Sequence, residues 1–189
     1  MKILKNNFVL KFVVTLFLVG LLIGLLTYIN FKPDLSSYLS VFKDKLVDTH
    51  QNTFLLNIIF ISGIFILSLS IIGLPVICFY LFYEGLAVGY TFGTFIVLYG
   101  IKGALFYLLY FLLIKGIYLI LVIYFSTTSI KFIHRLITSI INKNNESLYS
   151  VIKYHFLRYI IILIITILNS CLIYFISGKI INLFAPLIK

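Results

Sequence analysis

The sequence predicts an all-α integral membrane protein, a bundle of about five transmembrane helices, and three observations support this. Hydrophobic residues make up 62% of the 189 residues, whereas soluble domains contain roughly 45–50%. Only 11% are charged, as expected of segments that face lipid, where a charge at mid-depth costs roughly 2.5–3.5 kcal/mol. The apolar residues also fall into separate runs of about 20, the length that crosses a hydrocarbon core of roughly 30 Å. The whole chain, 1–189, is therefore predicted to be a single membrane domain.

Each predicted span is an apolar run between more polar segments. The spans lie near Phe12–Ile29, Thr53–Ile72, Leu74–Leu98, Leu105–Ser126 and Leu157–Ile176. The first follows three lysines, as the apolar part of a signal peptide would. The residues after it, "TYINFKPD", lack the small side chains of a cleavage site, so we interpret it as an uncleaved span.

The distribution of basic residues predicts the orientation of the chain. They gather at the amino end and in a basic loop predicted at 129–156, which carries a single acid, Glu146. Because cytoplasmic segments of membrane proteins are enriched in Lys and Arg, both regions are predicted to be cytoplasmic, with the amino terminus inside and the carboxyl terminus outside. The net charge of +10 is thereby attributed to topology, and nucleic acid is not expected as a partner.

Two segments outside the spans have helical periodicity. Residues 34–50 place Leu35, Leu39, Phe42 and Leu46 on one face, which predicts an interfacial helix in the outer headgroup region or a docking face for an outside partner. The segment "SIKFIHRLITSIIN" is predicted to continue the fourth span as a basic helix on the inner surface, where it would contact anionic lipid.

Residues that could carry chemistry are few. The three histidines, His50, His134 and His155, are far apart in sequence and on different sides of the predicted topology, so we expect no metal site and interpret each as an interfacial polar residue. Cys78 and Cys171 lie within spans without CxxC spacing, and no phosphate loop, nucleophile elbow or HExxH helix is present. The chain is therefore predicted not to be an enzyme and to hold no cofactor.

Glycines at a spacing of four mark two predicted spans. Gly20 and Gly24 lie in the first, and Gly85, Gly89 and Gly93 lie in the third, in "YEGLAVGYTFGT". Small residues at this spacing let another helix backbone approach closely, which is how helices associate in lipid. These faces are predicted to pack helices within the chain or to form an interface with a partner. Tight turns or a re-entrant segment remain a third use.

Two charges, Glu84 and Lys115, lie deep inside predicted spans. If spans three and four form an antiparallel hairpin that turns near Tyr99–Gly103, the two side chains lie at similar depth, about 16 and 14 residues from the turn at roughly 1.5 Å per residue. We predict an intramembrane charge pair, because an isolated carboxylate in hydrocarbon is costly. The alternative is that the side chains reach the interface separately or that Glu84 is protonated.

Three short motifs mark the region from Asn57 to Phe95 and its start: Phe54 and Asn57, then Ile72, Gly73, Leu74 and Pro75, then Gly85, Gly89 and Gly93. With them the region resembles the family of stage II sporulation protein M. In that family an F-x-x-N pattern opens a span, an apolar run ends in I-G-L-P, and a charged residue followed by glycine begins a glycine-spaced helix. Two features depart from the family pattern. Glu84 stands where lysine is more usual, and the fourth span lacks the prolines that the family often has there.

The resemblance implies a noncatalytic scaffold in a bacterial cell membrane. Members hold two wall-degrading partners, the stage II sporulation proteins D and P, at the septum, so that peptidoglycan thinning lets the mother-cell membrane engulf the forespore. Membrane lipid is a further expected partner, and a homo-oligomer is left open. The alternative is a permease-like subunit of a transporter, in which Glu84 and Lys115 would line a polar path.

Overall fold

Helices account for all the regular structure in the described part of the chain. The computed structural model describes residues 6–30, 54–142 and 148–184. The elements are α1 (Asn6–Asn30), α2 (Phe54–Ser68), α3 (Gly73–Tyr110), a π-helical segment (Phe111–Lys115), α4 (Gly116–Asn142) and α5 (Leu148–Phe184). The predicted interfacial helix at 34–50 lies outside the described residues.

Four of these helices are long and apolar enough to cross a membrane. The stretches are Phe8–Tyr28, Gly73–Val97, Gly116–Ser139 and Tyr149–Ile173. Two further apolar helices, Phe54–Ser68 and Tyr99–Leu109, are shorter. The all-α, polytopic fold class is thus confirmed. The element at the second predicted span is α2, whose described length of about 22 Å at 1.5 Å per residue is less than a full bilayer crossing of roughly 30 Å.

A tight turn at 69–72 joins α2 to α3 as an antiparallel hairpin. Backbone hydrogen bonds close the turn, among them Gly73 N to Ser70 O at 3.1 Å. A Cβ at Gly73 would overlap the Leu67 carbonyl, so the two helices meet where only glycine fits. Pro75 lies in the first turn of α3, where its missing N–H breaks no helical hydrogen bond. The I-G-L-P residues therefore end one helix and start the next.

The chain reverses direction at Gly100, inside the segment predicted to turn. Gly100 has φ 61° and ψ −143°, a conformation open essentially to glycine alone. Residues 101–110, the return segment, fold back on the end of α3. The Phe106 and Tyr107 rings lie 5.6 Å and 5.3 Å from the Phe95 ring, and the Tyr107 hydroxyl lies 2.7 Å from that of Thr91. The predicted fourth span is consequently divided among the return segment, the π-helical segment and α4.

The predicted basic loop at 129–156 is largely helical, because α4 runs to Asn142 and α5 begins at Leu148. No glycine or proline interrupts residues 117–177, and lysine and arginine are good helix formers. The threonines near the start of this region do not break α4, since Thr127 and Thr128 donate their hydroxyls to carbonyls of their own helix, Ile123 and Phe125. The helix predicted to continue the fourth span agrees with the end of α4, whereas the helical start of α5 was not predicted. Positive charge predicts a side of the membrane for this region and not a backbone conformation.

A single apolar core joins all five helices. Its buried residues are Val9, Val13, Ile61, Ile64, Ile77, Leu81, Tyr118, Val122, Phe125, Ile130, Ile133 and Ile162. A second, smaller cluster of Phe95, Phe106 and Tyr107 holds the return segment. The outward faces of the helices are covered with large apolar side chains such as Leu22 and Ile120, as a lipid-facing surface requires.

Candidate functional site

A close helix contact joins α1 to α3 through glycines of both helices. We call Gly20, Gly24, Gly85 and Gly89 the glycine contact. A Cβ at each of them would overlap a backbone carbonyl oxygen of the opposite helix, which belongs to Phe82, Leu86, Phe17 and Leu21 respectively. Residue numbers rise together along both helices, so α1 and α3 run parallel with backbone against backbone. Small residues permit this approach, and dispersion and weak Cα–H···O contacts stabilise it.

The fifth predicted glycine extends this contact toward the end of α1. A Cβ at Gly93 would lie 3.1 Å from the Tyr28 Cβ. Tyr28 is 1% exposed, and its ring meets that of Tyr90 edge-on at 5.5 Å. All five glycine positions therefore face the chain's own helices. A partner could reach these faces only if α1 and α3 separated.

The structure does not join Glu84 to Lys115: within the described residues no ion pair links them, and each side chain is partly exposed. The contact between α3 and α4 near Glu84 is instead made by the hydroxyls of Tyr80 and Tyr118, which lie 3.1 Å apart. Glu84 follows Tyr80 by one helical turn and lies close enough to both hydroxyls to interact with them electrostatically. Lys115 is the last residue of the π-helical segment, whose wider turn changes the direction of its side chains relative to an α-helix.

Polar side chains join α2 to α5 along most of α2. Asn57, the asparagine of the F-x-x-N pattern, donates its amide to the Ser170 hydroxyl at 3.4 Å. The Ser62 hydroxyl lies 3.0 Å from that of Tyr159. Asn57 is 8% exposed, so its position in the family pattern corresponds to an interhelical hydrogen bond in this chain. Phe54, the first residue of the pattern, begins the described part of α2.

His155 is a buried polar residue whose position sequence reasoning missed. It was expected to be an interfacial side chain, but it is 2% exposed. Its Nε2 lies 2.8 Å from the Ser68 hydroxyl at the end of α2, and its ring stacks on Phe132 with centroids 4.0 Å apart. The sequence did contain a signal for this burial, because His155 lies at helical spacing from Ile162 and Thr166, which are also buried on α5.

A cavity of about 660 Å³ lies between α4 and α5 beside His155. We call it the basic cavity, because Lys131, Arg135 and Arg158 line it together with His155, and none of the described residues that line it is an Asp or Glu. Lys131 is close enough to both arginines for their charges to interact. The nearest acid in sequence, Glu146, lies outside the described residues. No group of three potential metal ligands occurs in the described ranges.

Four helices of membrane-spanning length, joined by a glycine contact and interhelical hydrogen bonds, define the chain as a polytopic membrane protein. Residues 13–178 match the family model described as Stage II sporulation protein M, and the chain belongs to this family. Comparison with curated proteins and with solved structures gives no match.

Proposed function

We propose that this protein is a noncatalytic membrane scaffold of the sporulation engulfment machinery, which recruits wall-degrading partners to the septum. The observation that carries the proposal is the family match over residues 13–178. The partners proposed from the family resemblance are the stage II sporulation proteins D and P, and the proposed location is the septal and then the engulfing membrane.

The internal use of the glycines supports a particular form of this scaffold. The glycine contact and Gly93 are covered by the chain's own helices, so they hold the bundle together rather than face a partner. Recruitment then depends on other surfaces, among them the exposed apolar faces of the helices and the segments between them. In this form of the proposal the glycines act on recruitment only through the stability of the bundle.

The decisive experiment is purification of the tagged, full-length protein from sporulating host cells in mild detergent, with identification of co-purifying proteins. We expect two wall-degrading membrane proteins, and we expect deletion of the gene to stall engulfment at the septum. An abundant, membrane-inserted protein without these partners, in a host whose deletion strain completes engulfment, would overturn the proposal. Co-purification of an ATP-hydrolysing subunit would instead favour the permease alternative.

The proposed orientation places the amino terminus and the 143–147 segment in the cytoplasm, in keeping with the basic residues of both regions. A cysteine introduced at Ser37, in a variant without Cys78 and Cys171, should react with an impermeant thiol reagent in intact cells. A cysteine at Asn144 should not react. Labelling at Asn144 would reverse the proposed orientation.

A further inference from the structure

We propose that two copies of this chain associate in the membrane through Glu84 and Lys115, so that the carboxylate of each copy pairs with the ammonium group of the other. The surface involved consists of the exposed side of α3 around Glu84 and of the π-helical segment that ends at Lys115. A second copy is the fitting occupant, because the chain itself carries both members of the pair. The inference does not rest on the scaffold proposal, since it concerns contact of the chain with itself.

The two charges lie at nearly the same depth. After the reversal at Gly100 the chain runs antiparallel to α3, and the hydroxyls of Tyr80 and Tyr118 meet at 3.1 Å. Glu84 follows Tyr80 by four residues. Lys115 precedes Tyr118 by three, so the two charged positions differ in height by only about 1.5 Å. Glu84 also lies near the middle of its membrane-spanning stretch. Both charges are therefore deep in the hydrocarbon.

Neither charge is matched within the single chain. In the ranges that the structure describes, Glu84 and Lys115 form no ion pair with each other or with a third residue, and both are partly exposed. Their surface neighbours are large exposed side chains of the kind that lipid or another helix covers, namely Tyr83, Leu112 and Ile117. A charge in such surroundings is costly and normally pairs with an opposite charge. Each position thus needs a partner from outside the chain.

A two-fold axis along the membrane normal allows one interface to satisfy both charges. Rotation about such an axis leaves every residue at its own depth, so Glu84 of one copy stays level with Lys115 of the other. In a two-fold interface a contact from one residue to a second is repeated from the second to the first. Because α3 contacts the π-helical segment, the two ion pairs form across one continuous surface. Equal depth and opposite sign are the two conditions for this pairing, and the chain meets both.

The test uses charge reversal, which distinguishes pairing between copies from pairing within one chain. Two differently tagged full-length copies are expressed together, and capture of one in mild detergent measures how much of the other is bound. Wild-type copies should capture each other. When both copies carry Glu84→Lys, or both carry Lys115→Glu, capture should fall about tenfold or more, because like charges then face each other. One copy with Glu84→Lys and one with Lys115→Glu should capture each other again, since both contacts are then between opposite charges.

The matched control is Lys102→Glu, which reverses an exposed lysine close to the reversal at Gly100 and away from the middle of the bundle. Its capture should equal that of the wild type. A chain with both Glu84→Lys and Lys115→Glu should capture itself but not the wild type, because the mixed interface opposes like charges. In monomeric protein diluted in detergent the unfolding midpoint measures single chains, so substitutions at the two positions should act on it independently.

Three outcomes would overturn the proposal. The first is capture between two Glu84→Lys copies that equals wild-type capture. The second is failure of the mixed reversal pair to recover capture while both variants are present in the membrane fraction, which would place any pairing within one chain. The third is capture of a different membrane protein with a basic residue in its span, in place of the second copy. If a reversal variant does not accumulate, the neutral change Glu84→Gln replaces it, and unchanged capture of this variant by itself would equally overturn the proposal.

Discussion

The glycine contact between α1 and α3 and the basic cavity between α4 and α5 represent two opposite ways of joining helices in one bundle. In the first, backbones touch and no side chain intervenes. In the second, the stacked rings of Phe132 and His155 join the helices beside an open space of about 660 Å³ that is lined by cationic side chains. The first arrangement leaves no room for a ligand. The second leaves an open space between the helices.

The difference follows from what lipid permits. Because hydrocarbon tails are as apolar as leucine, burial against another helix gains little from the hydrophobic effect, and close contact or hydrogen bonding must hold membrane helices together. The glycine contact relies on close approach. The α2–α5 and α3–α4 pairs rely on hydrogen bonds such as that of Tyr80 with Tyr118. The bundle therefore has a close-packed pair, α1 with α3, and a polar half, the α2–α5 and α3–α4 pairs. Substitutions in the two should have effects of different size.

The largest expected effect is from Gly89→Leu, because a Cβ at this position overlaps the Leu21 backbone, which cannot move aside as a side chain could. The variant should still insert, since leucine is more apolar than glycine. It should then be destabilised by more than about 4 kcal/mol, the exceptional end of single substitutions, and disappear from the membrane fraction. The matched control is Gly63→Leu on α2, where a Cβ meets nothing within 4 Å. Equal abundance of both variants would contradict the close contact.

A smaller loss is expected in the polar half from Ser68→Ala. It leaves the buried Nε2 of His155 without its partner, which costs about 1–3 kcal/mol. The unfolding midpoint in detergent measures this loss. Adding His155→Phe should recover much of it, because removing both partners leaves no unsatisfied group. A double variant as unstable as the sum of the two single variants would show that the hydrogen bond adds nothing.

The Tyr80–Tyr118 hydroxyl contact should contribute less. Interhelical hydrogen bonds in membranes are worth about 0.6 kcal/mol on average, and we expect a coupling of that order from a double-mutant cycle of Tyr80→Phe and Tyr118→Phe. Tyr83→Phe is the control, since Tyr83 is exposed, and its unfolding midpoint should not change. Zero coupling between Tyr80 and Tyr118 would mean that the hydroxyls do not share a hydrogen bond.

The smallest effect expected is the coupling between Glu84 and Lys115. Because no ion pair joins them in the structure, the effects of Glu84→Gln and Lys115→Met on stability should add to within about 0.3–0.5 kcal/mol. The measurement is the unfolding midpoint of both single variants and the double variant. Substantial recovery of stability in the double variant would instead support the charge pair that the sequence predicts.

Local sequence patterns predicted part of the fold. The turn predicted near Tyr99–Gly103 coincides with the reversal at Gly100, because glycines and a lysine interrupt an apolar run there. The helical course of 129–142 and 148–156 was predicted only in part, since positive charge indicates a side of the membrane and not a backbone conformation. His155 was misjudged for a related reason. In the sequence a single polar residue in an apolar run resembles an interfacial residue. The residues that bury His155, Ser68 and Phe132, lie on other helices, so its own segment does not reveal them.

Composition and periodicity established the class of protein, because hydrophobic length and the cost of buried charge act on each segment separately and can be read without knowing its neighbours. Spacing likewise identified the glycines as a face that needs a close neighbour. Which helix is that neighbour was decided by the tertiary structure: α1 meets α3 in parallel, with two glycine pairs facing each other at matching heights. The Glu84 environment and the basic cavity also depend on the three-dimensional arrangement. Contacts between side chains from distant segments follow from how the helices are rotated against one another, and no single segment specifies that rotation.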